Sequence, residues 1–247
     1  MGTDRHWERH GAQNPYWAVL TEARYDRAEM DDAARGAFFD SGVQRIEQIL
    51  AAATAAFGQR DGFRSALDFG CGVGRLSLAL SGRSEEVVGV DISPSMIAEA
   101  KRNAERMGRD NVSFRQASGS LEELAGQTFD LLVSDIVFQH IPVAAGLRLY
   151  RGLLDRLRPG ARGAVSFTYD KATRLARLRQ ALKRVPLAQA AYDAVWTLRN
   201  ASPPMQMNAY PLGELVRELH LRGVHRVQLE LGGHGESLSA LLLFETP

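Results

Sequence analysis

The sequence predicts an α/β fold, a doubly wound and mostly parallel sheet of seven strands. Three observations carry that reading. Short apolar runs alternate with amphipathic segments of helix length along residues 61–247, the pattern of strands joined by crossover helices. The first run, Ala66-Leu67-Asp68-Phe69, breaks into Gly70, Gly72 and Gly74, and an apolar segment at helical spacing resumes at Leu76. That order reads as strand, tight turn and helix, which brings bare backbone N–H groups up against a ligand. The second run ends on Asp91, 21 residues beyond Gly70. An acid about 20 residues past such a turn, at the tip of the second strand, is placed to hold a ribose hydroxyl.

Residues 1–60 precede the first strand and form an N-terminal cap, expected to be helical and rich in rings: Trp7, Tyr16, Trp17, Tyr25, Phe38 and Phe39. Asp40 or Ser41 can cap a helix on which Val43, Ile46, Ile49 and Leu50 recur at helical spacing. Two roles are open to this cap. Its rings pack on the sheet edge, or Tyr16, Trp17 or Tyr25 folds over the ligand and lines a pocket. The core, residues 61–247, then alternates, with strands expected at 64–69, 86–90, 112–115, 129–134 and 162–168 and helices at 76–80, 94–107, 121–125 and 143–157. Pro94 and Pro142 sit where helices begin and no N–H bond is lost. Asp68, Asp91, Ser118 and Asp135 all fall at carboxyl ends of strands, where open α/β sheets bind ligands.

A helical insertion of about residues 170–210 follows strand 5. Leu175, Leu178, Leu182 and Val185 form an apolar stripe surrounded by Lys171, Arg174, Arg177, Arg179, Lys183 and Arg184. Pro186 ends that helix, a second amphipathic stretch covers 187–198, and Ser202-Pro203-Pro204 makes a rigid turn. A helix at 212–221 precedes a closing hairpin, 225–231 and 237–244, turning across Gly232-Gly233-His234-Gly235.

Composition narrows the class. With 247 residues, 45% hydrophobic and 24% charged, the chain suits one globular α/β domain with a modest accessory element. A net charge of +1 carries no electrostatic footprint for nucleic acid, so a nucleic-acid partner is not expected. One cysteine, Cys71, excludes an internal disulfide, and no apolar run approaches the ~20 residues of a membrane span. With no secretory signal opening the chain, the expected setting is the cytoplasm, as a monomer or homodimer.

The glycine spacing identifies the ligand class. A dinucleotide site wants G-x-G-x-x-G with a pyrophosphate over the helix N-terminus, whereas this chain has G-x-G-x-G with Asp68 two residues before Gly70. An acid beside the turn repels a pyrophosphate and suits an ammonium group. No Gly-Lys-Ser/Thr follows, which excludes a phosphate-cradling P-loop. A cationic nucleoside amino acid, S-adenosylmethionine, fits both carboxylates.

At this point the residues resemble motif I of the class I S-adenosylmethionine-dependent methyltransferases. The resemblance continues in register. Asp91-Ile92-Ser93-Pro94-Ser95-Met96 is similar to the family's D-x-S-x-x-M after strand 2, and residues 112–118 to its third strand and adenine-contact turn. Residues 129–135 are similar to strand 4, and Leu157-Arg158-Pro159-Gly160 to the L-x-P-G before strand 5. The resemblance implies a Rossmann-like sheet with an antiparallel last strand, S-adenosyl-L-methionine as cofactor and S-adenosyl-L-homocysteine as product. It implies cofactor contacts from Asp68, Gly70, Cys71, Gly72, Gly74, Asp91, Ile92, Met96, Ser118, Gly119 and Asp135. Where Ser118 stands the family often has an acid, so here a hydroxyl or a backbone carbonyl must take the adenine amino group. Related enzymes place substrate-facing residues where 205–210 fall, which makes Met207 and Tyr210 acceptor candidates beside Tyr16, Trp17 and Tyr25.

Methyl transfer from a sulfonium is an in-line displacement with the nucleophile about 3–3.5 Å from the methyl carbon. A hydroxyl or ammonium nucleophile must also lose a proton. His140, just after strand 4, is the candidate catalytic base and acceptor contact, with Asp135 and Tyr210 as alternatives. A structural role for His140, capping the helix after Pro142 or holding a loop carbonyl, competes with that reading. No residues have metal-ligand spacing. Methyltransferases acting on planar amide or adenine nitrogens share an Asn/Asp-Pro-Pro-aromatic run after strand 4, whereas this chain has Ser134-Asp135-Ile136-Val137. The acceptor expected is a small molecule: a metabolite, sugar or amine, methylated on O or N. Rival readings are a nicotinamide oxidoreductase, which the glycine spacing opposes, a non-catalytic S-adenosylmethionine-binding protein, and a macromolecular methyltransferase docking RNA or protein through the basic insertion.

Overall fold

The structure, a computed structural model, describes residues 2–177 and 206–247. Among the described residues the sheet has seven strands: β1 (Phe63–Phe69), β2 (Ser84–Asp91), β3 (Val112–Gln116), β4 (Phe129–Ser134), β5 (Leu157–Lys171), β6 (Val227–His234) and β7 (Ser237–Glu245). Their order is β3-β2-β1-β4-β5-β7-β6. The pairs among β1 to β5 are parallel, and β7 runs antiparallel to both β5 and β6. This is the doubly wound sheet with an antiparallel last strand that the sequence predicts.

Helices α1 (Gly2–Gln13), α2 (Pro15–Val19) and α3 (Asp32–Phe57) precede the sheet. Within it come α4 (Arg75–Leu80), α5 (Pro94–Arg106), α6 (Val143–Leu154) and α7 (Leu212–His220). Alternate residues of each strand face opposite sides. Leu67, Phe69, Val88, Val90, Leu132 and Phe167 pack with Leu147, Tyr150, Leu153, Leu215 and Leu219 of α6 and α7. Ala66, Val87, Leu131, Val133 and Leu243 pack with Ile46, Ile49, Leu76 and Leu80 of α3 and α4. Both faces are covered, which is why the central strands read as continuous apolar runs, each large side chain contributing ~1.5–3 kcal/mol on burial.

Several elements differ from the sequence reading. Helix α3 begins at Asp32, not near Asp40, because the Asp31 carboxylate accepts from Ala34 N at 2.7 Å and caps it there. Ser41 is then mid-helix, its hydroxyl donating back to Phe38 O, and Val43 is exposed while Phe38 and Phe39 join the buried stripe. The helix expected at 121–125 is a single 3₁₀ turn, Glu122–Leu124, confined between Leu121 at φ 59° and Gly126 at φ 73°. Strand β5 starts early, since Leu157 pairs with Phe129 before a register shift that resumes at Arg162. The hairpin turn is shorter than expected, because His234 already pairs with Ser237 and leaves Gly235-Glu236 as the turn. Most of the expected insertion, residues 178–205 with its apolar stripe beyond Leu175 and the Pro203-Pro204 turn, lies outside the described residues.

Candidate functional site

Gly70, Gly72 and Gly74 take φ of 80°, 52° and 89°, which only glycine adopts without strain. Four of the loop's N–H groups are bonded within the protein. Gly70 N and Cys71 N both donate to Val90 O, at 2.8 and 3.0 Å, and Gly74 N donates to Cys71 O at 2.9 Å. Gly72 N donates to Asp91 Oδ2 at 2.9 Å, and Ser93 N to Asp91 Oδ1 at 2.9 Å. The turn is therefore not the anion cradle that a pyrophosphate needs, and the expectation of bare N–H groups facing the ligand is corrected. Asp91 lines the cavity beside the turn with a second lone pair on each oxygen, the acceptor set a vicinal diol needs. Its burial raises its pKa above the ordinary carboxylate value.

Asp68 does not line the cavity. It alternates with Phe69 along β1, so it turns with Ala66 under α4, where its Oδ2 accepts from Ser77 Oγ at 2.6 Å. Burial lifts its pKa to about 6, against the Ser77 bond and the Arg75 charge that favour ionisation, with Asp91 adding to the rise. Cys71 is likewise buried behind the loop, its thiol pushed up by desolvation, and Gly74 packs on the Phe114 ring. Direct cofactor contact by the side chains of Asp68 and Cys71, or by Gly74, is thus not what the geometry provides. They set the loop's shape from beneath.

The other sequence-predicted cofactor residues meet at one cavity of about 340 Å³. Gly70, Gly72, Asp91, Ile92, Met96, Ser118, Gly119 and Asp135 all line it, joined by the predicted base His140, each from a strand end, loop or helix start at the carboxyl edge of the sheet. Ser118 Oγ donates to Glu123 Oε2 at 2.6 Å and accepts from Glu122 N, so its hydroxyl is engaged in holding the 3₁₀ turn. Asp135 forms a two-bond pair with Arg45, 2.7 and 3.1 Å, with its side chain 3% exposed. Next to it, Ile136 lines the cavity at φ 62°, a strained conformation for a β-branched residue, with its N–H held by Ser166 Oγ at 2.7 Å.

His140 Nδ1 lies 2.8 Å from the carbonyl oxygen of Gln206. A carbonyl only accepts, so Nδ1 carries the proton and Nε2 keeps a free lone pair. Burial lowers the imidazole pKa to about 4, with the nearby His10 acting in the same direction and the Gln206 bond opposing. His140 therefore lines the cavity and also holds a loop carbonyl. The segment after the insertion positions it, with Asn208 N bonding Gln139 O at 2.7 Å and Tyr210 N bonding Thr168 O at 2.8 Å.

The acceptor candidates fare differently. Tyr16 is buried against α5, its hydroxyl bonded to Glu99 at 2.7 Å and Asn103 at 2.9 Å, and Tyr25 is buried against Phe38. Trp17 lines a separate surface depression with His10 and Asn14. Tyr210 is core, packed on Phe138 and Phe167 with its hydroxyl donating to Ile141 O at 2.8 Å, and half-buried Met207 is not in the cavity wall. None of the five reaches the cavity. Trp7 does, its ring 4.8 Å from that of His140 and edge-on, together with Ala18 and Val19. Glu8 holds this cap in place, accepting from Ser93 Oγ at 2.7 Å, Ser95 N at 3.2 Å and Ser95 Oγ at 2.5 Å at the N-terminus of α5.

Comparison with known proteins assigns the fold and the domain. Residues 66–160 match the family described as a methyltransferase domain. Those residues carry a methyltransferase domain, and the fold is that of S-adenosylmethionine-dependent methyltransferases. The magnesium protoporphyrin IX methyltransferase ChlM of Synechocystis, solved with bound S-adenosylhomocysteine, superposes with TM-score 0.64 at 17% identity, covering 99% of this chain and 98% of that one. The N-methyltransferase NodS of Bradyrhizobium japonicum, also with S-adenosylhomocysteine, gives 0.64 at 15% identity over all of both chains. These are likenesses of fold. A 23S rRNA uracil methyltransferase, RlmD of Shewanella amazonensis, is 51% identical over 61 residues, 25% of this chain and 14% of that protein. An RNA methyltransferase of unknown specificity from Listeria innocua is 38% identical over 93 residues, 38% of this chain and 20% of its own. The chain thus spans about a fifth or less of these curated relatives.

The methyltransferase domain's cavity fits such a cofactor. Asp91 offers a diol acceptor, the internally bonded N–H groups leave no anion nest against a sulfonium or an ammonium, and Val90, Ile92, Met96 and Ala117 make apolar walls for a base. Sequence reasoning missed Trp7, Arg45, Arg75, Ile136 and Gln206 as site residues. Only Arg75 had a local signal, a cation directly after the glycine turn.

Proposed function

We propose that this chain methylates an oxygen or nitrogen atom of a small-molecule acceptor. The observation that supports this is the enclosure of the cavity. Trp7 and Val19 from the N-terminal cap join Asp135, Ile136 and His140 around a volume of about 340 Å³, the scale of a small-ligand site. When bound, S-adenosylmethionine supplies the electrophilic methyl group on its sulfonium. Asp91 orients a ribose through its two carboxylate oxygens, while the half-buried Val137, Ile141 and Leu149 exclude water from the reacting end. His140, neutral at pH 7 with Nε2 unprotonated, accepts a proton from an acceptor hydroxyl as the transfer proceeds. A base of such low pKa is weak, so it acts with bond formation, not before it.

A second reading, an RNA acceptor, is favoured by the named activities of the curated relatives, which are RNA methyltransferases. The expectation that nucleic acid is no partner is therefore set aside as open. Incubation of the protein with tritiated S-adenosylmethionine and either a fractionated metabolite extract or total RNA separates the two. Label in the small-molecule fraction supports the proposal, and label confined to RNA refutes it.

A further inference from the structure

Arg75, the first residue of α4, is an unusual wall for the cavity. It is 6% exposed, and among the described residues its Nε has no hydrogen-bond partner and its one side-chain hydrogen bond is Nη1 to Ser41 Oγ at 3.3 Å, near the long limit. Among the described residues it forms no ion pair. A guanidinium cannot shed its charge by deprotonating, and a buried unpaired one is costly. The two acids nearest it in the electrostatics of the site are engaged elsewhere, Asp135 by both bonds to Arg45 and Asp68 by Ser77. Of these acids only Asp135 lines the cavity, and both its bonds go to Arg45, while Asp91 makes the other end negative.

We propose that Arg75 anchors a carboxylate group of a ligand bound in this cavity. The inference rests on the reading that the cavity binds S-adenosylmethionine and its product. The carboxylate has two chemical sources, the amino-acid tail of the cofactor or an acidic acceptor. Either completes the pairing that the protein itself withholds, through a charge-assisted bond of the strong kind.

Calorimetry of the wild type, Arg75→Met and Arg75→Lys with S-adenosylhomocysteine and with its decarboxylated analogue, S-adenosyl-3-thiopropylamine, tests the first source. The wild type should prefer S-adenosylhomocysteine by about ten- to a hundredfold, Arg75→Met should level the two, and Arg75→Lys should keep part of the preference. If the cofactor preference survives in Arg75→Met, the second source is tested by titrating benzoate and benzamide into protein saturated with S-adenosylhomocysteine. Tighter benzoate binding in the wild type that vanishes in Arg75→Met assigns the carboxylate to the acceptor. Thermal melts accompany both arms: a ligand anchor predicts an Arg75→Met melting temperature equal to or above the wild type. The proposal is overturned if neither discrimination depends on Arg75, or if Arg75→Met melts lower while keeping both preferences. Wild-type protein that binds no S-adenosylhomocysteine overturns the functional reading itself.

Discussion

Replacing Asp68 by Asn should make the protein more stable at neutral pH and leave it nearly unchanged in acid. The carboxyl sits beneath the glycine loop with Ser77 Oγ at 2.6 Å, and burial raises its pKa from 3.8 to about 6. Between those values the folded chain holds a proton that the unfolded chain has lost, so stability falls as pH rises from about 4 to about 6 and the cost is complete above that. At about 1.36 kcal/mol per pH unit the gap amounts to about 3 kcal/mol. Asn still accepts the Ser77 bond but does not titrate. Urea unfolding followed by tryptophan fluorescence, in steps from about pH 4 to about pH 7.5, should therefore show Asp68→Asn gaining about 3 kcal/mol on the wild type across the range. In melting temperature that is about 6–12 °C for a domain of this size. Parallel stability curves for the two proteins would refute the buried, proton-holding Asp68.

Three further outcomes are expected. Asp91→Ala removes the acceptor of two backbone N–H groups and the proposed diol partner, and isothermal titration should show S-adenosylhomocysteine binding weakened by at least ~1.5–3 kcal/mol, unchanged affinity being the contrary result. For a hydroxyl acceptor, single-turnover rates should rise with pH through about 4 and be flat from about 5.5 to 8, since ionisation of His140 as a base removes its activity only in acid; a break near the ordinary histidine value would count against the buried imidazole. Glu8→Ala loses three hydrogen bonds to Ser93 and Ser95, so amide exchange over residues 2–13 should accelerate while the sheet's protection stays the same; equal exchange over α1 would show that Trp7 is held by something else.

The order of strands and helices was legible because each central strand is buried on both faces and announces itself as an apolar run. The glycine turn and Asp91 were legible for a local reason too, since positive φ and a strand-end acid are demands placed on single residues. Helix α3's early start was misread because the cap at Asp31 outweighed a more hydrophobic-looking start near Asp40. His140 was found by its place after strand 4, but not its tautomer, which Gln206 sets from 66 residues along the chain, nor its low pKa, which burial sets against the Gln206 bond.

What the sequence by itself determined is the sheet, the edge that carries the cavity, and the glycine turn that lines it. Only the tertiary structure decided which side chains face the cavity. Asp68 and Asp91 look equivalent as strand-end acids, yet Asp68 lies on the α4 side of β1 and is sealed beneath the loop. The aromatic cap is similar: Tyr16 looks outward enough to be a lid residue, but bonds to Glu99 and Asn103 turn it into core, and Glu8's bonds to Ser93 and Ser95 bring Trp7 over the site instead. Those contacts join residues more than eighty positions apart. Local periodicity records how apolar a helix face is, while the face that meets the site is set by where the helix docks, and docking is a property of the folded chain alone.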